Sequence, residues 1–312
     1  VSETGPENKG AAPIWRGGVN TWECDEMGHM NVRFYVARAL EGLAGLALHL
    51  AQPCAFAAAA TATLIVREHR IRFHREAHAG AALHMTGGVV SMGATDAVLL
   101  QLLTHSDSGE PCASIVTRVV HATPLDNRPF PWSPRTRNAA ERLGVTIPDF
   151  AAARSLIDVD DPLADPARAA ALTCIAQGVV GPDACDVFGR MSADRFMARI
   201  SDGTGGLMAP LRRAVAGAVD VERLGGVALE YRLTYADLPR AGEHVELRSG
   251  LASLEAKVQR IVHWLIDPVS GRPWATAQAV VANFDLDARK IVSVPAEIRA
   301  VFQSQVTPGL LV

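Results

Sequence analysis

Apolar residues recur in steps of three and four from Val32 through Tyr35, Val36, Ala39, Leu40, Leu43, Leu46, Ala47 and Leu50, which predicts an amphipathic helix with one buried face. A second stripe, Ala193, Phe196, Met197, Ile200, Leu207, Met208 and Leu211, predicts another helix of the same kind. Asn31 and Ser192 stand at the two N-cap positions, where a short polar side chain can satisfy free backbone N–H groups. A short strand is expected before each helix, at Gly18–Glu23 and Ala176–Val180. After each helix come β-rich runs. In the first half these are Leu64–Phe73, Ala82–Ser91, Ala97–His105 and Ala113–Ala122; in the second they are Val227–Tyr235, His244–Ser253, Lys257–Ile266 and Ala275–Asp285. The turn-forming stretches HSDSGEP and DPVSGRP separate the last two strands of each half.

The two series are one series repeated. CDEMGHMN at Cys24–Asn31 aligns with CDVFGRMS at Cys185–Ser192 at an offset of 161 (Asp25 to Asp186). Glu68, Arg70 and Gly80 meet Glu230, Arg232 and Gly242 at an offset of 162, as Gly109 and Pro111 meet Gly271 and Pro273. A single insertion accounts for the change of register, so the halves are copies of one domain. A long helix followed by a run of antiparallel strands is an α+β arrangement in which a sheet wraps the helix. The expected boundaries are a polar tail at 1–12, a first domain at 13–125, a partly ordered linker at 126–168 with a short helix at Pro134–Leu143, a second domain at 169–295 and a tail at 296–312.

Composition narrows the function classes. A net charge of −3 gives no general attraction to phosphate backbones, so no nucleic-acid partner is expected. Five cysteines without a CxxC pair argue against a disulfide scaffold or zinc ribbon and fit a reducing cytoplasm. The beginning of the sequence, VSETGPENKG, lacks the basic-then-apolar plan of a signal peptide. Gly42 to Val66 carries no formal charge, but His49, Gln52 and Pro53 interrupt it and its first part is one-sided, so no membrane partner is expected. Without GxSxG, GxxxxGK[ST] or GxGxxG, neither a serine α/β-hydrolase nor a nucleotide-cofactor enzyme finds support, and no cofactor is expected.

The segment VNTWECDEMGHMNVRFYVARALE resembles the hotdog-fold thioesterases of the 4-hydroxybenzoyl-CoA thioesterase type, in which a strand ends in Asp-x-x-Gly-His-x-Asn and leads into the central helix. Those positions are Asp25, Gly28, His29 and Asn31, and VREHRIRFHREAHAGAALHM looks like the next two strands. The resemblance covers residues 13–123 and, more weakly, 170–288. It implies two tandem hotdog domains forming a covalent pseudo-dimer, of the kind that places thioester sites in the cleft between its halves. A further pairing of two such pseudo-dimers is left open.

The implied activity is hydrolysis of an acyl-CoA or acyl-ACP thioester. Asp25 would be general base or nucleophile, with His29 and Asn31 positioning water or polarising the carbonyl. The backbone N–H near Val32 would face the developing oxyanion at the helix N-terminus. Gly28, Val32, Glu68 and His69 are the expected substrate contacts. Against these stand plainer readings: Asp25 as a turn residue, Asn31 as a helix cap, and Glu68, matched by Glu230, as a structural contact. Two rival functions are an enoyl-CoA hydratase or dehydratase of the same fold, for which no GDxNPxH segment is found, and a non-catalytic acyl-CoA-binding module.

The second copy keeps Asp186 and Gly189 but has Arg190 and Ser192 where the first has His29 and Asn31, which predicts one competent and one degenerate site. No metal is expected: His74 and His78 have a helical ligand spacing in a strand or turn context, where it does not share a face. Cys24, matched by Cys185, reads as packing on a buried strand end. Arg67, Arg70, Arg72 and Arg75 read as a solvated strand face or a CoA-phosphate contact. Leu40, Leu43, Ala47 and Ala55–Ala60 read as core or as the lining of an acyl pocket.

Overall fold

The computed structural model describes residues 10–159, 166–215, 224–285, 287–293 and 296–310. The first nine residues of the expected polar tail, the end of the expected linker at 160–165 and the side chain of Leu211 lie outside the described residues. The chain forms two compact units, Val1–Ala152 and Ala153–Val312.

In the first unit, β1 (Ala12–Gly18) is followed by α1 (Val32–His49), then β2 (Thr63–Phe73), β3 (Ala82–Met92), β4 (Asp96–His105), β5 (Pro111–Ala122) and a short helix α2 (Pro134–Arg142). The strands are antiparallel, in the order β1-β3-β4-β5-β2. The second unit opens on a short helix α3 (Pro166–Ala170) and continues with β6 (Thr173–Val179), α4 (Ala193–Val215), β7 (Leu224–Tyr235), β8 (His244–Leu254), β9 (Val258–Ile266) and β10 (Pro273–Asp285). It ends with the two-residue β11 (Lys290–Ile291), which pairs with β10, and α5 (Ala296–Gln303). Its order is β6-β8-β9-β10-β7, the same path as in the first unit.

The repetition extends to the irregularities of the ladders. The strand registers skip Ile14, Arg67, Val90 and Cys112 in the first unit and Ile175, Leu229, Ala252 and Trp274 in the second, each pair related by the 161 or 162 offset. An extra residue bends a strand and increases its twist, so matched bulges give the two sheets matched bends.

The expected strand at Gly18–Glu23 is corrected by the structure: the strand ends at Gly18, and Thr21–Glu23 is a 3-10 turn. The Glu23 carboxylate accepts the Asn20 backbone N–H at 2.8 Å and closes the chain on itself, which a ladder would forbid.

Helix α1 packs against β1 and β3 through a buried face of Tyr35, Val36, Ala39, Leu43, Leu46 and Ala47. The approach is close where the bulge at Ile14 turns its carbonyl toward the helix. A Cβ at Gly45 would stand 2.0 Å from the Ile14 oxygen. Gly45→Ala is therefore expected to destabilise the protein by about 1–3 kcal/mol, although alanine is the better helix former. Chemical denaturation of the variant checks this; an unchanged midpoint would show that the helix can lift off β1 without cost.

The segments after β5 and β10 are also alike. α2 is followed by a parallel bridge between Gly144 and Val89, and α5 by a parallel bridge between Val306 and Leu251. The Leu143 carbonyl accepts the Val89 N–H at 2.8 Å, and the Leu251 carbonyl accepts the Thr307 N–H at 2.9 Å. Both contacts stand beside the bulges at Val90 and Ala252.

Candidate active site

Asp25 through Val32 form one turn. Asp25 Oδ1 accepts the N–H groups of Met27 at 2.9 Å and His29 at 3.1 Å, while the Asp25 and Gly28 N–H groups bond to the carbonyls of His29 and Asp25. Gly28 has φ +78°, which a side chain would strain, and this sharp reversal brings the chain back over itself. Asn31 caps α1, its Oδ1 accepting the Arg33 N–H at 3.0 Å. Among the described residues the N–H of Val32 has no hydrogen-bond partner, so the first turn of α1 offers a donor at the positive end of the helix dipole.

Glu23 holds this turn against the helix. It is buried, its Oε1 is 2.5 Å from Arg38 Nη2, and its carbonyl accepts the Asn31 N–H at 2.8 Å. Sequence reasoning passed over both Glu23 and Arg38. The available signal was that Glu23, two residues before the candidate turn, becomes Ala184 in the second copy.

The second copy rebuilds the turn with different chemistry. Asp186 Oδ1 accepts the Phe188 and Arg190 N–H groups at 2.9 and 3.0 Å, and Gly189 has φ +76°. Asp186 Oδ2 is taken by Arg190, whose Nε and Nη2 donate at 3.1 and 3.0 Å. Two charge-assisted bonds occupy the oxygen that in Asp25 has no hydrogen-bond partner among the described residues. Ser192 Oγ donates to Asp194 at 2.5 Å.

Asp25, Gly28, His29, Asn31 and Val32 are thus brought together, with Glu68 and His69 on a separate element, β2. Glu68 accepts from Arg70 Nε at 2.7 Å, whereas Glu230 accepts the backbone N–H groups of Arg154 and Ser155, so the matched glutamates do different work. His69 is wholly enclosed, and burial lowers its pKa to about 4, which keeps the ring neutral.

The other sequence candidates settle locally. The Cys24 and Cys185 thiols each lie near a backbone carbonyl four residues earlier, and both are half-buried rather than on a buried strand end. Arg70, Arg72 and Arg75 are engaged by Glu68, the Ala152 carbonyl and Glu110. His74 bonds to Ser114 and does not join His78. Leu43 and Ala47 are core and Leu40 is half-buried. Ala55, Ala59 and Ala60 border a cavity of about 460 Å³ shared with Gln52, His121 and Phe130. It lies past the C-terminal end of α1, and an 18-residue helix rises roughly 27 Å, so this cavity is remote from the Asp25 turn. No described helix is long and apolar enough to cross a membrane.

Residues 19–140 and 180–302, more than half of the chain, match the model of the thioesterase-like superfamily. No curated protein matches the sequence significantly. Among solved structures, a Lactobacillus plantarum protein provisionally assigned as an oleoyl thioesterase superposes with a TM-score of 0.66 at 12% identity, covering 88% of this chain and 98% of its own. The 12:0-ACP thioesterase of Umbellularia californica gives 0.65 at 10% identity, with 88% and 94% covered. An acyl-ACP thioesterase of Bacteroides thetaiotaomicron gives 0.65 at 9%, with 88% and 99% covered. These likenesses establish a hotdog-like fold in two repeated segments.

Proposed function

Because the chain belongs to the thioesterase-like superfamily, we propose that it hydrolyses an acyl thioester of CoA or acyl carrier protein at the Asp25 turn of its first repeat. The observation that carries this reading is the contrast between the two copies. In the first, one oxygen of Asp25 builds the turn and the other has no hydrogen-bond partner among the described residues; in the second, Arg190 takes that other oxygen. Asp25 accepts a proton from water as the water oxygen attacks the thioester carbon, and the Val32 N–H supports the oxyanion. Collapse of the intermediate breaks the C–S bond, and the departing thiolate takes a proton to leave as thiol. A direct attack by Asp25 through an acyl anhydride uses the same oxygen.

His29, its main chain bonded to Asp25, borders the carbonyl, and Gly28 gives the substrate close access to the backbone. Asn31 sets the helix start, while Glu68 borders the substrate with His69 packed behind it. Each repeat contributes a helix wrapped by its own sheet. Five free thiols suit the cytoplasm, where CoA and carrier-protein thioesters are made.

Thiol release from acyl-CoA and acyl-ACP substrates of graded chain length, with aryl-CoA included, is the test. The expected result is turnover that varies with the acyl group. Specific binding of acyl-CoA without release of thiol would instead make the protein a binding module.

A further inference from the structure

The same turn closes a second group of side chains, in which His29 is joined by Glu76 and His78, two residues with no part in the hydrolysis proposed above. His29 and His78 face each other across an isolated antiparallel bridge, and the Glu76 carboxylate lies near the Nε2 of each. Glu76 Oε2 is 3.3 Å from His29 Nε2 and 3.8 Å from His78 Nε2, and the three atoms lie within 4.8 Å of one another. The imidazoles meet edge to face with centroids 4.9 Å apart.

The tautomer of His78 is fixed by chemistry. Its Nδ1 is 3.1 Å from the Gly28 carbonyl oxygen, which can only accept, so Nδ1 carries the hydrogen. That leaves Nε2 as the ring atom that faces the Glu76 carboxylate. A backbone carbonyl on the far nitrogen is also the usual outer support of a metal-binding histidine.

The second repeat has none of the three residues. At equivalent positions it has Arg190, Leu238 and Arg240 in place of His29, Glu76 and His78. The main-chain contacts are kept: an Arg190–Arg240 bridge replaces His29–His78, and the Met191 N–H reaches the Pro239 carbonyl as the Met30 N–H reaches that of Ala77, both at 2.7 Å. The His-Glu-His group is therefore not needed to build the turn.

We propose that His29, Glu76 and His78 form a binding site for a divalent transition-metal ion of the zinc class. Two imidazoles and a carboxylate are a donor set that suits zinc, and bonds of ~2.0–2.1 Å in a tetrahedron put neighbouring donors ~3.3–3.4 Å apart. One edge of the group already has that length and a second exceeds it by about half an ångström. The half-exposed side chain of His78 gives the ion its route in and leaves the fourth position to water.

The test uses the full chain stripped with a chelator and titrated with Co²⁺ and Zn²⁺ alone. One equivalent of Co²⁺ should bind with the intense visible absorption of a four-coordinate site, and Zn²⁺ should displace it. Glu76→Gln and His78→Ala, each checked for an unchanged melting curve, should weaken Zn²⁺ binding ~10²-fold or more. Replacing the exposed Cys54 and Cys174 with serine should leave binding as it was. Absence of stoichiometric binding, or binding that survives both Glu76→Gln and His78→Ala, overturns the proposal. Because the readout is metal binding, it stands or falls independently of hydrolytic activity.

Discussion

Asp25→Asn is expected to slow thioester hydrolysis by ~10²–10⁴ while leaving the fold intact. The amide oxygen can still accept the Met27 and His29 N–H groups, so the turn survives, but the group is neither base nor nucleophile. Asp186→Asn should act in the opposite way. It removes the carboxylate bonded twice by Arg190, whose side chain is itself buried, and should cost about 1–3 kcal/mol of stability with little effect on rate. Steady-state kinetics and melting curves of the two single variants and the double variant separate these effects. Equal, additive losses of rate would mean two working sites, and an Asp25→Asn protein of full activity would reduce Asp25 to a turn former.

The second large effect is on stability in acid. His263 on β9 is buried, with Ser249 Oγ 2.6 Å from its Nδ1, and burial lowers its pKa to about 3; His69 is lowered to about 4 for the same reason. Unfolded, both titrate near 6.5. Below that pH the unfolded chain takes up protons that the native rings refuse. The stability these rings leave intact above pH 6.5 is therefore lost progressively as pH falls toward their folded values, at up to ~1.4 kcal/mol per unit for each ring. Two pH units would remove about 5 kcal/mol from the pair, comparable to the whole stability of many domains. The first repeat has Gln101 where the second has His263, buried and bonded to the Ala39 carbonyl and Thr117 Oγ1. His263→Gln should therefore flatten the fall of the denaturation midpoint with pH by about half. An unaltered slope would place the acid sensitivity elsewhere.

How much of this was legible in the sequence depended on whether a residue's fate was decided locally. The stripes from Val32 and from Ala193 give α1 and α4 because one buried face imposes the helical period. The alternating runs give the strands for the corresponding reason, and the motif match between Cys24–Asn31 and Cys185–Ser192 gives two turns with the same hydrogen bonds. Val19–Glu23 misled because its short mixed run imitates a strand, whereas the outcome turned on one carboxylate reaching back three residues.

Glu76, and the pairing of His78 with His29, were invisible for a different reason. Both residues lie nearly fifty positions from His29, and the comparison of the repeats rested on identities, whereas these positions matter because they differ. The pairing suggested by spacing, His74 with His78, does not form; the pairing across the bridge does.

The parallel bridges that follow α2 and α5 bear on where this protein can be cut or grafted. Each inserts a short extended piece of chain beside β3 or β8 just where a bulge breaks the regular ladder, at Val90 and Ala252. A Cβ at Gly88 would fall 2.6 Å from the Leu143 oxygen, and one at Gly250 about as close to Leu172 and Leu310, so both strands are shaped to receive a neighbour there. A fragment ended at β5 or β10 would strip that neighbour away and uncover a narrow strip of main chain with unmet donors, an adhesive seam for other chains. The modular unit for any transplant therefore runs on past its last long strand to the residue that closes the bulge, Val145 in one copy and Thr307 in the other.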